Sequence, residues 1–365
     1  MPLRQWVFAA TRKNLNNNGS ALLSFFLFHA IVMPDEIDIR EDYIAMLDAE
    51  LLNILLKDHT TSKPDEQHNI FWATTDYEHL GAGYQYADEI KAELITGSHG
   101  KVIRPRVLKS LDAQTARSKD MAEVFTPSWI CNAQNNLIDE AWFGRKNVFN
   151  VENDCHTWTV NPDKIQFPDN KTWRDYVRDC RLEITCGEAP YITSRYDTTT
   201  GIPIPIEQRI GLLDRKLRVV SENTESTGEW LKAAQMAYKS TYAYEWQGDS
   251  LLIAREAMLF TFIDNYREKF KAMPLKKSME YIAYIISWNA WQMDGLKGVV
   301  PNSCKNGVEI VEQDLFGEIR RTVNCDGCRV GDIRKHNGIY CYIRKWTDSD
   351  SAKDRIRFID LIKNS

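Results

Sequence analysis

Three carboxylates stand where apolar runs of the chain give way to turns. Glu183 lies in RLEITCGEAPY with Gly187 close behind it, Glu245 in YAYEWQGD, and Asp294 in SWNAWQMDG. A carboxylate accepts several hydrogen bonds, and a glycine turn lets a ligand approach the backbone closely. At the carboxyl ends of neighbouring parallel strands, three such acids suit a nucleoside-type ligand. One would serve a charged amino-acid portion, one the ribose hydroxyls and one the exocyclic amine of a purine. Taken singly, each acid reads as a helix cap or a solvated loop. A dinucleotide site is disfavoured, because GxGxxG is absent and Pro190 interrupts the helix start that would face a pyrophosphate. A phosphate loop of the GxxxxGK[ST] type is absent too.

A second constellation lies near the C-terminus. Cys325, Cys328, His336 and Cys341 follow one another as C-x2-C-x7-H-x4-C, with Gly327 and Gly331 supplying turns. Four soft or borderline ligands in that order fit a tetrahedral zinc site. Cys341 also sits in GIYCYIRKW, which reads as a strand, so a packed core thiol is the competing reading for it. Cys131, Cys155, Cys180 and Cys186 have no metal spacing, and no third group orients Cys155 beside His156 for nucleophilic chemistry.

The elements that must position these groups alternate between strand and helix. The pattern predicts an amphipathic helix over Arg40 to Asp58, a strand over Asn69 to Asp76, and a polar insertion from Ser194 to Ser226 containing an edge hairpin. It then predicts a helix over Glu229 to Ser240, a strand over Thr241 to Trp246, a helix over Ser250 to Phe270 and a strand over Tyr281 to Trp288. This succession implies a parallel sheet covered by helices. Lys101, Arg104, Arg106, Lys109, Arg117 and Lys119 form a basic stretch that suits phosphates or, equally, a solvated connector. The expected divisions are a helical N-terminal region over 1–115, a ligand-binding α/β domain over 116–300 and a small Cys/His module over 301–365.

Composition narrows the setting. A net charge of -5 over 365 residues excludes a uniformly basic nucleic-acid coat, though not a local basic groove. Eight cysteines are too few for a disulfide scaffold and point to reduced thiols in the cytoplasm. The apolar run Ala21 to Met33 follows basic residues as in a signal peptide. It lacks a small-x-small cleavage site and is short for a bilayer span, so it is expected to be a buried segment or an extension, with no membrane partner.

AEVFTPSWICNAQNNLIDEAWFG at Ala122 to Gly144, followed by LEITCGEAPY, YAYEWQGDSLLIARE and SWNAWQMDGL, resembles the bacterial adenine-N6 DNA methyltransferases that serve as modification subunits of restriction-modification systems. The resemblance runs from about Tyr43 to the C-terminus. It implies a Rossmann-like, S-adenosylmethionine-dependent methyltransferase sheet with helices on both faces, to which the helical N-terminal region and the zinc-like module read above are appended. It further implies that Phe125, Thr126 and Pro127 flank the methionine end of S-adenosylmethionine, and that Glu183 and Gly187 form the amino-acid-side turn. Glu245 would bind the ribose and Asp294 would lie near the adenine amine. A flipped adenine would then attack the sulfonium methyl in line. Two features depart from the family. The chain has no Pro-Pro dipeptide, so the tetrapeptide of Asn, Asp or Ser, two prolines and an aromatic is absent and no transfer residue is assigned. Few residues follow Asp294, so a specificity or restriction subunit is expected to help read double-stranded DNA. An inactive cofactor-fold subunit that binds DNA or assembles with a partner is the alternative.

Overall fold

Asp48 interrupts an apolar stripe that would otherwise make one helix. Its carboxylate accepts the Glu50 amide at 3.0 Å, as an N-cap aspartate does, so α1 (Glu41–Leu47) ends and α2 (Ala49–Leu56) begins there. The structure, a computed structural model, describes residues 41–120, 126–314, 317–346 and 354–362. The described residues belong to one compact unit, Ile39–Ser365, and the apolar run 21–33 lies outside them.

The expected strand over Asn69 to Asp76 is instead extended chain with isolated bridges, and Ala73 has a left-handed φ of 52°. What it would have paired with is supplied by a side chain. The Gln292 carboxamide accepts from the Phe71 amide at 3.0 Å and donates to the Phe71 carbonyl at 2.9 Å. Beyond it come α3 (Leu111–Asp120), α4 (Ser128–Phe143), an antiparallel hairpin of β1 (Asn150–Asn153) and β2 (Thr157–Val160), and α5 (Trp173–Arg178).

β3 (Arg181–Glu183) leads through α6 (Leu212–Asn223) and α7 (Thr227–Lys239) to β4 (Thr241–Glu245). β4 leads through α8 (Gly248–Phe270) and α9 (Lys276–Asn289) to β5 (Ala290–Gln292). The three strands make a parallel sheet in the order β3-β4-β5, with Glu183 beside Ala243 and Glu245 beside Gln292. Parallel neighbours require such long crossovers. The expected strand over Tyr281 to Trp288 lies inside α9. Met279, Ile282, Ala283 and Ile286 are buried at helical spacing, a period masked by the equally apolar residues between them. The predicted edge hairpin around TTTGIPIPIEQR reduces to a single bridge between Tyr196 and Pro203.

Buried cations tie the amino ends of the strands together. Lys216 of α6 donates to the Asp179 carbonyl at 2.6 Å and to the Ser240 hydroxyl at 2.7 Å, just before β3 and β4. Arg255 of α8 donates to the Ala290 carbonyl at 2.8 Å, the Ser287 carbonyl at 3.2 Å and the Lys57 carbonyl at 3.0 Å. These carbonyls lie at helix ends or strand starts, where backbone acceptors lack regular partners.

Side chains alternate across a strand, so Tyr242, Tyr244 and Trp291 share one face of the sheet. Met293, Val300, Cys341 and Ile343 pack there with Tyr244 and Trp291. This C-terminal portion comprises the antiparallel pair β6 (Gly307–Asp314) and β7 (Gly317–Val323), then α10 (Asp326–Val330), then the pair β8 (Tyr342–Arg344) and β9 (Arg355–Arg357). No described helix is long and apolar enough to cross a membrane.

Half of the basic stretch is committed inside the protein. Asp249, in the first turn of α8 and fully buried, accepts from Arg117 at 3.0 Å, Lys109 at 3.1 Å and the Tyr77 hydroxyl at 2.8 Å. Arg106 donates to the Gln114 carbonyl at 3.3 Å. These three cations therefore hold the N-terminal region to α8 or cap their own loop, while Lys101 and Arg104 remain exposed. Removing one partner of a buried ion cluster leaves the others uncompensated. Asp249→Ala is accordingly expected to cost ~3–5 kcal/mol in urea unfolding. A loss below about 1 kcal/mol would mean that water already screens the cluster.

Candidate functional site

Glu183 is the last residue of β3 and is 8% exposed. Its carboxylate accepts the Ile192 amide at 3.1 Å and the Tyr191 amide at 3.4 Å, so it closes the turn that follows the strand. Within that turn Thr185, Gly187 and Ala189 all have left-handed φ angles, of 44°, 54° and 58°. Two of the three carry a Cβ, and each such residue stores roughly 1–2 kcal/mol. The amides on either side of Gly187 are bonded inside the protein, Cys186 to the Tyr244 carbonyl at 2.9 Å and Ala189 to the Cys186 carbonyl at 2.7 Å.

Glu245, at the end of β4, holds that turn from the neighbouring strand. One oxygen accepts the Gly187 amide at 2.7 Å; the other accepts the Trp246 amide at 2.8 Å and the Gln247 amide at 3.2 Å. A carboxylate offers about four acceptor positions, which leaves Glu245 capacity for a further donor such as a hydroxyl. Burial raises the pKa of both acids; that of Glu183 reaches about 8, against the pull of its two amide donors.

Asp294 follows β5 and completes the row of acids at adjacent strand ends. Its oxygens are spent on its own loop: one accepts the amides of Leu296 and Lys297 at 3.1 and 3.2 Å, the other pairs with the Lys297 ammonium at 3.0 Å. Thr126 and Pro127 immediately precede α4, with Pro127 at the N-cap position. Proline has no side-chain acceptor, so Asp197 supplies one from a distant loop, accepting the Ser128 amide at 2.7 Å. The helix then reaches the turn after β3, where Asn135 donates to the Tyr191 carbonyl at 3.0 Å. Phe125 lies outside the described residues.

The metal-ligand set differs from the predicted one by one residue. Cys304, Cys325, Cys328 and His336 place their donor atoms within 4.8 Å of one another. The three sulfurs each lie 3.6 Å from His336 Nδ1. One ring nitrogen cannot hydrogen-bond three thiols together, whereas a tetrahedron with zinc-like bond lengths has edges of about 3.6 Å. The cluster can therefore hold a metal ion. Gly327 is required beside it, because a Cβ there would lie 2.6 Å from His336 Nδ1. Backbone amides of Asn337 and Cys328 lower the Cys325 thiol to about 6, which favours the ligating thiolate. Cys341 is excluded from the set: it is fully buried beneath β5, with its thiol 3.3 Å from the Gln292 carbonyl. Cys304 escaped notice because the β6–β7 hairpin separates it from its partners.

Two further residues gather at the strand ends from segments the sequence did not connect. Tyr86 receives the Trp246 indole N–H at 3.2 Å and the Asn302 carboxamide N–H at 2.8 Å. No spacing rule would have found this group, since its members come from the N-terminal region, the turn after β4 and the loop after Asp294.

Metal analysis separates the two cysteine assignments: Cys304→Ser is expected to lose bound metal, and Cys341→Ser to keep it. Glu183 makes stability pH-dependent. Its native pKa is raised, so the native state keeps a proton that the unfolded chain releases, and stability falls as pH rises from about 4.5 to about 8. Glu183→Gln should flatten the stability profile in that window; an unchanged slope would assign the pH dependence to other groups.

No family model, curated protein or solved structure matches the chain.

Proposed function

We propose that this protein binds S-adenosylmethionine at the carboxyl ends of β3, β4 and β5 and belongs to a DNA adenine-N6 methyltransferase of a restriction-modification system. The observation carrying this reading is the pairing of the left-handed turn after β3 with Glu245 of the next strand, through the 2.7 Å bond from Gly187. An acid beside a tight turn at parallel strand ends is an arrangement suited to a nucleoside carrying an amino-acid tail. The turn 184–189 would hold the amino-acid end and Glu245 the ribose hydroxyls. Asp294, paired with Lys297, would shape the loop beyond. The bound cofactor supplies an electrophilic methyl group. Cys304, Cys325, Cys328 and His336 would hold zinc in a structural role, since all four positions of a tetrahedron come from the chain.

A second reading, a cofactor-fold subunit that depends on a partner for transfer, is favoured by one feature of the sheet. Leu182, in the edge strand β3, and Ile184, just after it, are 45% and 61% exposed, although strands of parallel sheets are ordinarily covered. The absent Pro-Pro dipeptide agrees with that reading. The acceptors that engage a flipped adenine and the surface that reads double-stranded DNA would then come from a specificity or restriction subunit.

Titration calorimetry with S-adenosylmethionine tests the binding reading. Glu245→Ala is expected to weaken binding about tenfold or more while circular dichroism remains unchanged. Unaltered affinity would remove Glu245 from the site. Labelled methyl transfer to mixed-sequence DNA separates the two forms of the proposal: incorporation by the chain alone retires the partner-dependent reading, and binding without incorporation supports it.

A further inference from the structure

We propose that Asn302, Tyr86 and Trp246 form the base-reading end of this site and recognise a 6-aminopurine through its exocyclic amine. The inference rests on the nucleoside reading of the strand ends and adds to it the residues that select the base.

A continuous hydrogen-bonded chain links these side chains to Glu245. The Trp246 amide donates to Glu245, its indole N–H donates to the Tyr86 hydroxyl, and the Asn302 carboxamide donates to that hydroxyl from the other side. A phenolic oxygen that accepts two donors keeps its own proton to give away. The Asn302 Oδ1 has no donor among the described residues, and Asn302 is exposed. The 2.8 Å bond between the two side chains thus joins a residue with an O–H left to donate to one with a carbonyl left to accept. The edge of adenine offers the complementary pair, an amine donor next to a ring-nitrogen acceptor. Hypoxanthine and guanine carry a carbonyl oxygen in place of the amine, which would face the Asn302 oxygen and leave it unpaired.

The surroundings suit a flat apolar ring. Trp246, Tyr86 and Phe71 are all half-buried, and the Phe71 and Tyr86 rings lie 6.3 Å apart at 60°. Such ring faces and edges accommodate a base by stacking.

The position of Asn302 is enforced by its backbone. Its φ is 55°, a left-handed value that asparagine tolerates better than most residues, and buried Pro301 precedes it. On the other side the Ser303 amide bonds the Val300 carbonyl at 3.1 Å and the Ser303 hydroxyl accepts the Ile339 amide at 3.0 Å. The next residue is the metal ligand Cys304. The loop that presents Asn302 is therefore clasped by the cluster, which gives the metal centre a part in shaping the site without touching the ligand.

The test compares S-adenosylhomocysteine with its inosyl counterpart, in which a 6-oxo group replaces the amine, by titration calorimetry on the full chain. The unaltered protein should prefer the adenosyl compound about tenfold or more. Asn302→Gly deletes the carboxamide while accepting the left-handed φ, and should reduce that preference to less than about threefold. Tyr86→Phe keeps the ring and should also erode the preference. An undiminished preference in both variants, or a preference of the unaltered protein for the inosyl compound, overturns the proposal while leaving the strand-end site standing. Failure of both compounds to bind the unaltered protein overturns both readings.

Discussion

Short parallel strands depend here on positive charge buried against neutral oxygen. β3 and β5 contain three residues each and β4 five, too few for ladder hydrogen bonds alone to fix their relative heights. Lys216 spans the starts of β3 and β4, and Arg255 ties the start of β5 to the ends of α2 and α9. Neither cation has a carboxylate in these contacts. Burial brings the Lys216 ammonium down to about 7, a sign of how costly its position is. With their lower ends held level, the strands deliver Glu183, Glu245 and Asp294 to one side of the sheet.

The upper ends reverse the chemistry: acids receive backbone N–H groups. Glu183 and Glu245 together take five amide donors, and the turn between them adopts three left-handed conformations in five residues. Such strain persists only where surrounding contacts over-determine it. Asp249, in the first turn of α8, keeps that helix bound to the N-terminal region through Tyr77, Lys109 and Arg117. The sheet, the turn and the N-terminal region consequently meet around the first turn of one helix. Gly248 permits that meeting, since a Cβ there would lie 2.1 Å from the Phe71 carbonyl oxygen.

Where local pattern and final environment agree, the sequence could be read. Helices α7 and α8 and strand β4 lie where periodicity places them, with Glu245 at the end of β4, whereas Asp294 follows a strand, β5, that the pattern did not place. Tyr281 to Trp288 misleads because an apolar stretch buried on most sides loses the period that distinguishes helix from strand. The metal set shows the complementary failure. Cys341 has suitable spacing but lies beneath β5, whereas Cys304 has no suggestive spacing and is brought in by a hairpin. Spacing rules describe ligands on one short loop, and this cluster draws on three segments. The basic stretch misleads for another reason: charge composition does not reveal whether Arg117 faces water or Asp249.

The β6–β7 hairpin emerges between Cys304 and Cys325 and returns to the same cluster. A metal held there would close the loop 305–324 at its base. The entropy of closing a loop grows only with the logarithm of its length. Lengthening or shortening the hairpin would therefore change the closure cost by a fraction of a kilocalorie, while the cluster stayed intact. With the metal bound, the length of the chain between Cys304 and Cys325 is therefore only weakly constrained by the closure of this loop.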